Sequence, residues 1–288
     1  MLVIHDPRCA DYAAPGHPER PARVVASAAL LRKAHPQWAW RLPPGSVPES
    51  ALLLAHTGEH LGRLEIPRDF DGDTAYLPGI GSHARRSVAA ALLAAEHALG
   101  AKGPAFSLMR PPGHHATADA AMGFCYLNQV AIAALAAQAG GKAPRVAVWD
   151  FDAHHGNGTE DILAGRPGLL YASVHQSPCF PGTGLASHGN ARNWPVRPLA
   201  PRREHMAALR ASLDAALGSA PDLLLVSAGF DAYRDDPLTE MTLEAEDFAE
   251  LGSWLRSCGV RCAAALEGGY SDELPLLADA FLSSWAGE

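Results

Sequence analysis

Two carboxylates and an imidazole within five residues are the first groups in this sequence that could bind a metal ion. Asp150, Asp152 and His154 follow an apolar run of strand character and precede a Gly-x-Gly turn at residues 156–158. Side chains alternate along an extended chain, so these three residues share one face. We predict that Asp152 and His154 are metal ligands. Asp150 lies one pleat earlier and is better placed to orient a histidine.

A third ligand is expected from a second strand, because Asp231 follows the apolar run 223–227. Two carboxylates and one imidazole leave coordination positions for water and substrate, which is typical of a catalytic metal site. Taken alone, each residue is explained more simply by a salt bridge or a turn cap. Their occurrence together at strand ends, without an evident Arg or Lys partner, favours the metal site.

Two further groups could take part in catalysis. His114 and His115 follow one apolar run, and Tyr270 follows a Glu-Gly-Gly sequence after another. An imidazole can take a proton from water and return it to a leaving amine, and a tyrosine hydroxyl can donate to a developing oxyanion. Together with a metal ion that polarises a carbonyl, these groups predict an amide hydrolase. Ser227 does not lie in the Gly-x-Ser-x-Gly elbow of a serine hydrolase.

The carboxyl ends of several strands must meet for these residues to form one site. Apolar strand-like runs alternate with helical stretches, which is typical of a mostly parallel sheet with helices on both faces. Ligands bind beyond the carboxyl ends of the strands in such sheets. We therefore predict a single α/β domain over residues 1–288. The expected strands are Leu2–Ile4, Ala105–Leu108, Arg145–Trp149, Leu169–Val174, Leu223–Ser227 and Cys262–Leu266, and the expected helices lie near residues 19–34, 82–98, 126–138, 202–217, 243–257 and 273–284.

The composition limits the classes of function. The formal net charge of −8 argues against a nucleic-acid partner, since such proteins carry basic patches. Five scattered cysteines without a Cys-x-x-Cys pair favour neither a disulfide framework nor a thiolate zinc site. The Ala-rich runs near residues 88–99 and 130–139 are too short to span a membrane, and residues 1–7 lack signal-peptide character. We expect a cytoplasmic protein without a membrane partner.

Seven short motifs are spread along most of the chain: His17–Pro21, Arg110–His115, Gly123–Asn128, Asp150–Gly158, Phe180–Gly184, Gly229–Asp231 and Glu267–Tyr270. By these residues the chain resembles the zinc-dependent histone deacetylase superfamily, which also includes acetylpolyamine amidohydrolases. The resemblance runs from about residue 15 to about residue 280 in the family's order. Asn157 and the Arg-Pro-Pro-Gly sequence before His114 are similar to the class II branch.

The resemblance implies one catalytic zinc ion, one structural potassium ion and a narrow apolar slot for the substrate. A second potassium site stays open, because it would consist mostly of backbone and Arg166 lies in that region. The implied residues are Asp152, His154 and Asp231 for zinc; His114, His115, Tyr270, Asp150 and Asn157 for catalysis; Asp150, Asp152, His154, Ser173 and Val174 for potassium; and Gly123, Phe124, Phe180, Leu238 and Gly268 for substrate.

His115 is assigned as the general base and acid, with His114 as electrostatic support paired to Asp150. Asn157 would face His115, where a relative can carry Asp. An amide stabilises an imidazolium less than a carboxylate does, so His115 should be the less basic of the two histidines.

The substrate is predicted only by class. Walls made by Phe124 and Phe180 suit the methylene stem of an acylated lysine or polyamine. Leu238 is apolar where polyamine-preferring relatives can carry an acid, which favours acyl-lysine in a peptide or protein over a small acylated amine. Asp73, in a rim loop, is explained more simply as a turn residue than as a substrate contact. Acyl-chain length, Zn²⁺ against Fe²⁺ and the oligomeric state stay open.

Two other functions fit parts of the pattern. A binuclear manganese hydrolase of the arginase type would need aspartates at the positions of Gly156 and Tyr233, so a single metal ion is expected here. A non-enzymatic acyl-lysine binder would have a degenerate site, and the intact Tyr270, His114 and His115 argue against it.

Overall fold

An eight-stranded parallel sheet forms the centre of the computed structural model, which describes residues 1–101 and 103–288. Every neighbouring pair of strands is parallel, in the order β2-β1-β3-β8-β7-β4-β5-β6. The strands are β1 (Leu2–Ile4), β2 (Ala39–Arg41), β3 (Ala105–Ser107), β4 (Val146–Asp150), β5 (Leu169–Gln176), β6 (Ala191–Val196), β7 (Leu223–Ala228) and β8 (Cys262–Leu266).

Helices cover both faces of this sheet, so the predicted α/β fold with a parallel sheet is confirmed. Helices α4 and α5 pack against the central strands, and α7 packs against β4, β5 and β6. The helices in the described residues are α1 (Ala22–Ala34), α2 (Glu49–Leu52), α3 (Gly58–Arg63), α4 (Ile80–Leu99), α5 (Gln129–Ala139), α6 (Asn157–Leu163), α7 (Arg202–Gly218), α8 (Ala245–Ser257) and α9 (Leu274–Ala286), with a 3₁₀ turn at Pro7–Ala10.

The register of the central strands brings the chemically active segments to one edge. Asp150, the last residue of β4, lies opposite Ser227 of β7 and Ser173 of β5. Strands β4, β7 and β8 are buried along their whole length, as expected for continuous apolar runs in a parallel sheet. The segments that follow β3, β4, β7 and β8 therefore leave the sheet side by side.

Two strands and three short helices were not predicted. Strand β2 is an edge strand whose residues are exposed or half-buried, and β6 is the opposite edge strand and contains Pro195. An edge strand needs only one pairing partner, so it carries neither a long apolar run nor a full set of backbone donors. Helices α2, α3 and α6 have only 4, 6 and 7 residues, too few for a periodic pattern.

Candidate metal and catalytic site

The three predicted metal ligands converge at the carboxyl edge of the sheet. Nδ1 of His154 lies 2.8 Å from Oδ2 of Asp231 and 3.2 Å from Oδ1 of Asp152. One ligand atom from each residue lies within 4.8 Å of the other two, and all three residues are buried. Two carboxylate oxygens and an imidazole nitrogen at this spacing are the donor set of a divalent cation site with open positions.

The electrostatics of this cluster also favour a cation. Burial and the charge of Asp152 raise the pKa of Asp231 to about 7. Burial alone would lower the pKa of His154, but Asp231 and Asp152 outweigh it and raise that pKa well above the usual value. A divalent cation among these atoms would neutralise the buried carboxylates and leave the imidazole free of its proton.

Backbone donors hold the two carboxylates in place. The N–H of Gly268 donates to Oδ2 of Asp152 at 2.7 Å, and the N–H of Ala153 donates to Oδ1 of Asp231 at 2.8 Å. A Cβ at Gly268 would lie 2.2 Å from Oδ2 of Asp231, so only glycine permits this approach. Gly268 therefore packs closely against both carboxylates, and its predicted contact with substrate stays a prediction.

The tandem histidines have different partners. Nδ1 of His114 lies 3.1 Å from Oδ2 of Asp150, and Nδ1 of His115 lies 2.8 Å from Oδ1 of Asn157. Burial alone would lower the pKa of His114, but Asp152 and Asp150 raise it to about 10. Burial and the neighbouring His114 lower the pKa of His115 well below its usual value. The structure thus brings together both predicted pairs and makes His115 the less basic histidine.

Tyr270 reaches the same site from the loop after β8. Its backbone N–H donates to Oδ2 of Asp236 at 2.6 Å. The guanidinium of Arg23 lies over its ring, 4.7 Å from the centroid, and donates to the carbonyl oxygens of Gly269 at 2.6 Å and Glu267 at 2.5 Å. Both ends of the Gly-Gly pair before Tyr270 are therefore fixed by one side chain from α1.

A cavity of about 520 Å³ connects these groups to the surface. Its inner residues His115, His154 and Tyr270 are buried, whereas Phe180 and Leu238 are 39% and 36% exposed. The cavity therefore runs from a hydrophobic rim to the catalytic groups, as a slot for an extended acyl chain would. Its lining residues are His17, Pro18, Gly72, Asp73, Ala75, His115, Gly123, Phe124, His154, Cys179, Phe180, Leu238 and Tyr270.

One wall of this cavity depends on two residues with positive φ. A Cβ at Gly123, where φ is +55°, would lie 2.5 Å from Cδ2 of His115 and 2.8 Å from Cε1 of Phe180. Phe124 has φ of +67°, which is rare for a bulky residue, and its N–H donates to Oγ1 of Thr74 at 3.1 Å. Its ring lies edge-on to that of Tyr270 at 5.8 Å.

A second cavity, of about 580 Å³, lies near Arg63, Arg68 and Asp119. It contains none of the predicted metal or catalytic residues, so its slightly larger volume does not make it the better site. A second possible ligand group in the described part of the chain, His114, Cys125 and Glu267, lies beside the first. Burial raises the pKa of the Cys125 thiol well above its usual value, so that group offers a thiol where a metal requires a thiolate.

Comparison with known proteins agrees with this geometry. The sequence profile of the histone deacetylase domain matches residues 17–285.

The chain belongs to the histone deacetylase family.

A "Probable deacetylase" of Methanothermobacter thermautotrophicus is 38% identical over 290 residues, covering 95% of this chain and 86% of that protein. Acetylpolyamine amidohydrolase 1 of Pseudomonas aeruginosa is 37% identical over 215 residues, covering 71% of this chain and 62% of that protein. A crystal structure of acetylpolyamine aminohydrolase from Burkholderia pseudomallei has a TM-score of 0.88 at 27% identity, covering 100% of this chain and 99% of that one. The histone deacetylase-like chain is accordingly a hydrolytic enzyme of the deacetylase and amidohydrolase type.

Asp150, one of the residues that the resemblance implies for potassium, lies beside His114, with its Oδ2 3.1 Å from Nδ1 of that histidine. Asp150 and Ser173 are register partners in β4 and β5, and the hydroxyl of Tyr171 donates to Oδ2 of Asp150 at 3.0 Å. Around Arg166, where a second potassium ion would bind, a side chain occupies the backbone oxygens. The side-chain amide of Asn190 donates to the carbonyl oxygens of Leu163 at 2.8 Å and Leu169 at 2.9 Å, so each oxygen already accepts a hydrogen bond.

Three residues that hold the deacetylase-like site together, Arg23, Glu19 and Arg110, were not predicted to do so. Arg23 fixes the Tyr270 loop, and it is paired with Glu19, which also receives the Arg110 guanidinium. Glu19 and Arg110 lie in the quoted motifs, but nothing in the local sequence indicates that they pair across 91 positions.

In the part of the chain that the structure describes, no helix is long and apolar enough to cross a membrane.

Proposed function

We propose that the chain is a zinc-dependent deacetylase that removes acetyl or related acyl groups from lysine side chains. The observation that carries this proposal is the convergence of the Asp152–His154–Asp231 group on His154, which lines one cavity together with the buried His115 and Tyr270. The donor set fits a single catalytic zinc ion held by those three residues. A bound zinc ion acidifies a water molecule and polarises the scissile carbonyl.

The protein's own groups perform the remaining steps. His115, whose lowered pKa leaves it unprotonated near neutral pH, accepts a proton from the attacking water and returns it to the leaving amine. His114 stays protonated next to Asp150 and contributes positive charge near the carbonyl. The Tyr270 hydroxyl, kept protonated by burial, donates to the carbonyl oxygen as negative charge develops.

A structural potassium ion is proposed at Asp150, Ser173 and the backbone carbonyls of Asp152, His154 and Val174. Carboxylate, hydroxyl and carbonyl oxygens are the ligands of hard cations. The ion would stabilise the strand end that carries Asp152 and His154. A cytoplasmic location also stays a prediction.

The preferred substrate is an acylated lysine in a peptide or protein. Leu238 at the rim is apolar, and Phe124 and Phe180 offer apolar contact to a neutral methylene stem. A small acylated amine is the alternative, because two of the similar proteins above are named for acetylpolyamines. Asp73 also lines the cavity and offers a carboxylate to a cationic amine.

A substrate panel tests the proposal. Acetyl-lysine peptide, peptides with longer acyl groups, acetylputrescine and acetylspermidine are assayed with zinc, with chelator, and after zinc is restored. We expect turnover of acyl-lysine peptide that chelator abolishes and zinc restores, and loss of about 10²-fold or more in kcat for Tyr270→Phe. Faster turnover of the acetylpolyamines would favour the alternative, and hydroxamate binding without any turnover would indicate a non-catalytic binder.

A further inference from the structure

One fully buried acid of the site takes no part in the chemistry proposed above. Glu267 is the first residue after β8, and its side chain accepts hydrogen bonds from four donors. We propose that Glu267 is a positioning residue that holds the backbone of the tandem histidines in the catalytic arrangement. This inference rests on the proposed function, since it concerns His114 and His115 as catalytic groups.

The contacts divide between the two carboxylate oxygens. Oε2 accepts the backbone N–H groups of Gly113 at 2.7 Å and His114 at 3.2 Å. Oε1 accepts the hydroxyl of Ser227 at 3.2 Å and the side-chain amide of Gln129 at 3.3 Å. One side chain therefore fastens the histidine loop to the ends of β7 and β8 and to the first turn of α5.

The packing around the histidine loop leaves no space for a side chain at Gly113. A Cβ at Gly113 would lie 1.7 Å from Oε1 of Gln129 and 2.5 Å from the carbonyl oxygen of Leu127. The loop therefore sits in a space that fits only a bare backbone. A loop released from Glu267 would move His115 relative to the metal ligands, and a displacement of about 1 Å can cost a catalyst about 100-fold in rate.

The chemistry of the four donors allows positioning to be separated from charge. In Glu267→Gln the amide oxygen can still accept from Gly113 and His114. Its NH₂ group can donate to the Ser227 hydroxyl. It can also donate to Oε1 of Gln129, which has no hydrogen-bond partner among the described residues, once the Gln129 amide turns so that Oε1 and not Nε2 faces residue 267. Glu267→Gln therefore preserves the attachment without the charge, whereas Glu267→Leu removes both.

The experiment compares these two variants with a matched control. Ser212→Ala removes a buried hydrogen bond from Trp149, beneath the same sheet but away from the histidine loop. We expect kcat to fall about 100-fold in Glu267→Leu with KM and zinc content little changed. Glu267→Gln and Ser212→Ala should keep kcat within roughly fivefold of the wild type.

Several results would overturn the proposal. These are a Glu267→Leu variant with wild-type kcat, a Glu267→Gln variant as slow as Glu267→Leu, or an effect confined to KM. If Glu267→Leu does not fold, amide hydrogen exchange in the wild-type protein decides, since a fast-exchanging Gly113 N–H contradicts the attachment. A wild-type protein that lacks deacetylase activity would refute the proposed function and leave the exchange measurement valid.

Discussion

His114 and His115 are neighbours in the chain but face opposite electrostatic environments. His114 faces the carboxylates of Asp150 and Asp152, whereas His115 faces the neutral amide of Asn157. A buried imidazole beside carboxylates keeps its proton, and one beside an amide releases it more readily. In the proposed mechanism His114 therefore serves as a fixed charge and His115 as a free base, because burial and the neighbouring His114 lower the pKa of His115 and the neutral Asn157 adds no charge to oppose them.

Replacing Asn157 by Asp should move the acid limb of the rate profile to higher pH. A carboxylate 2.8 Å from Nδ1 of His115 stabilises the imidazolium, so the pKa of His115 rises and its unprotonated form appears later. We expect the apparent pKa of the acid limb of the kcat/KM profile to rise by about one pH unit or more, with hydroxamate affinity and zinc content unchanged. A lower apparent pKa of the acid limb in Asn157→Asp would show that His115 is not the general base.

The members of the candidate metal site could be picked out from the sequence, whereas the residues that hold the surrounding backbone in place could not. Asp152, His154 and Asp231 have the types and strand-end positions that metal binding requires, and they converge as expected. Arg23 and Glu267 act on backbone groups 246 and 154 positions away. Those contacts depend on how distant segments pack, which no local pattern indicates.

At the scale of elements, the central strands were predicted because burial on both faces demands continuous apolar runs. Strands β4, β7 and β8 show this pattern over their whole length. Strand β6 combines Pro195 with polar residues and is recognisable only from its pairing with β5. An edge strand is defined by its pairing with the one strand beside it. The positions of the edge strands therefore follow from the assembled fold and not from the local composition.

Helix α7 carries a buried histidine that should reduce stability in acid. Neither ring nitrogen of His205 has a hydrogen-bond partner in the described residues, and burial lowers its pKa to about 3. The unfolded chain binds this proton with a pKa near 6.5, so stability is lost as pH falls from about 6.5 toward 3. At pH 5 the loss amounts to about 2 kcal/mol relative to pH 8.

His205→Leu should therefore raise the free energy of unfolding by about 1–3 kcal/mol at pH 8, and by more at pH 5. Urea unfolding of variant and wild type at both pH values measures this difference. His56→Leu is the matched control, because Nδ1 of His56 contacts the Thr117 carbonyl and its Nε2 accepts the Asn128 N–H, each at 2.9 Å. His56→Leu should lower the free energy of unfolding, because it removes both of these hydrogen bonds. An equal decrease in the free energy of unfolding in both variants would mean that His205 has hydrogen-bond partners in solution.

At the scale of the whole molecule, the parallel sheet concentrates buried acids at one edge. Asp150, Asp152, Asp231 and Glu267 are all fully buried there, although they come from three different strand ends. Burial raises the pKa of Asp231 and Glu267 to about 7, which shows how strongly the fold opposes this negative charge. A cation bound among them would offset that opposition, which would link metal binding to folding.

Removing the metal should therefore lower the stability of the entire chain and not only its activity. A ligand present at a thousandfold excess over its Kd contributes about 4 kcal/mol, which for a chain of this size corresponds to roughly 5–10 °C in Tm. Calorimetry of chelated protein should show this decrease, and one equivalent of zinc should reverse it. Asp231→Asn, which lacks one ligand, should gain much less. An unchanged Tm would contradict the link between metal binding and folding, and two divalent ions per chain by native mass spectrometry would contradict a single catalytic ion. We expect one ion, because a Cβ at Gly156 would lie 2.3 Å from Oδ2 of Asp150. The backbone therefore leaves no room at residue 156 for the extra ligand that a binuclear site needs.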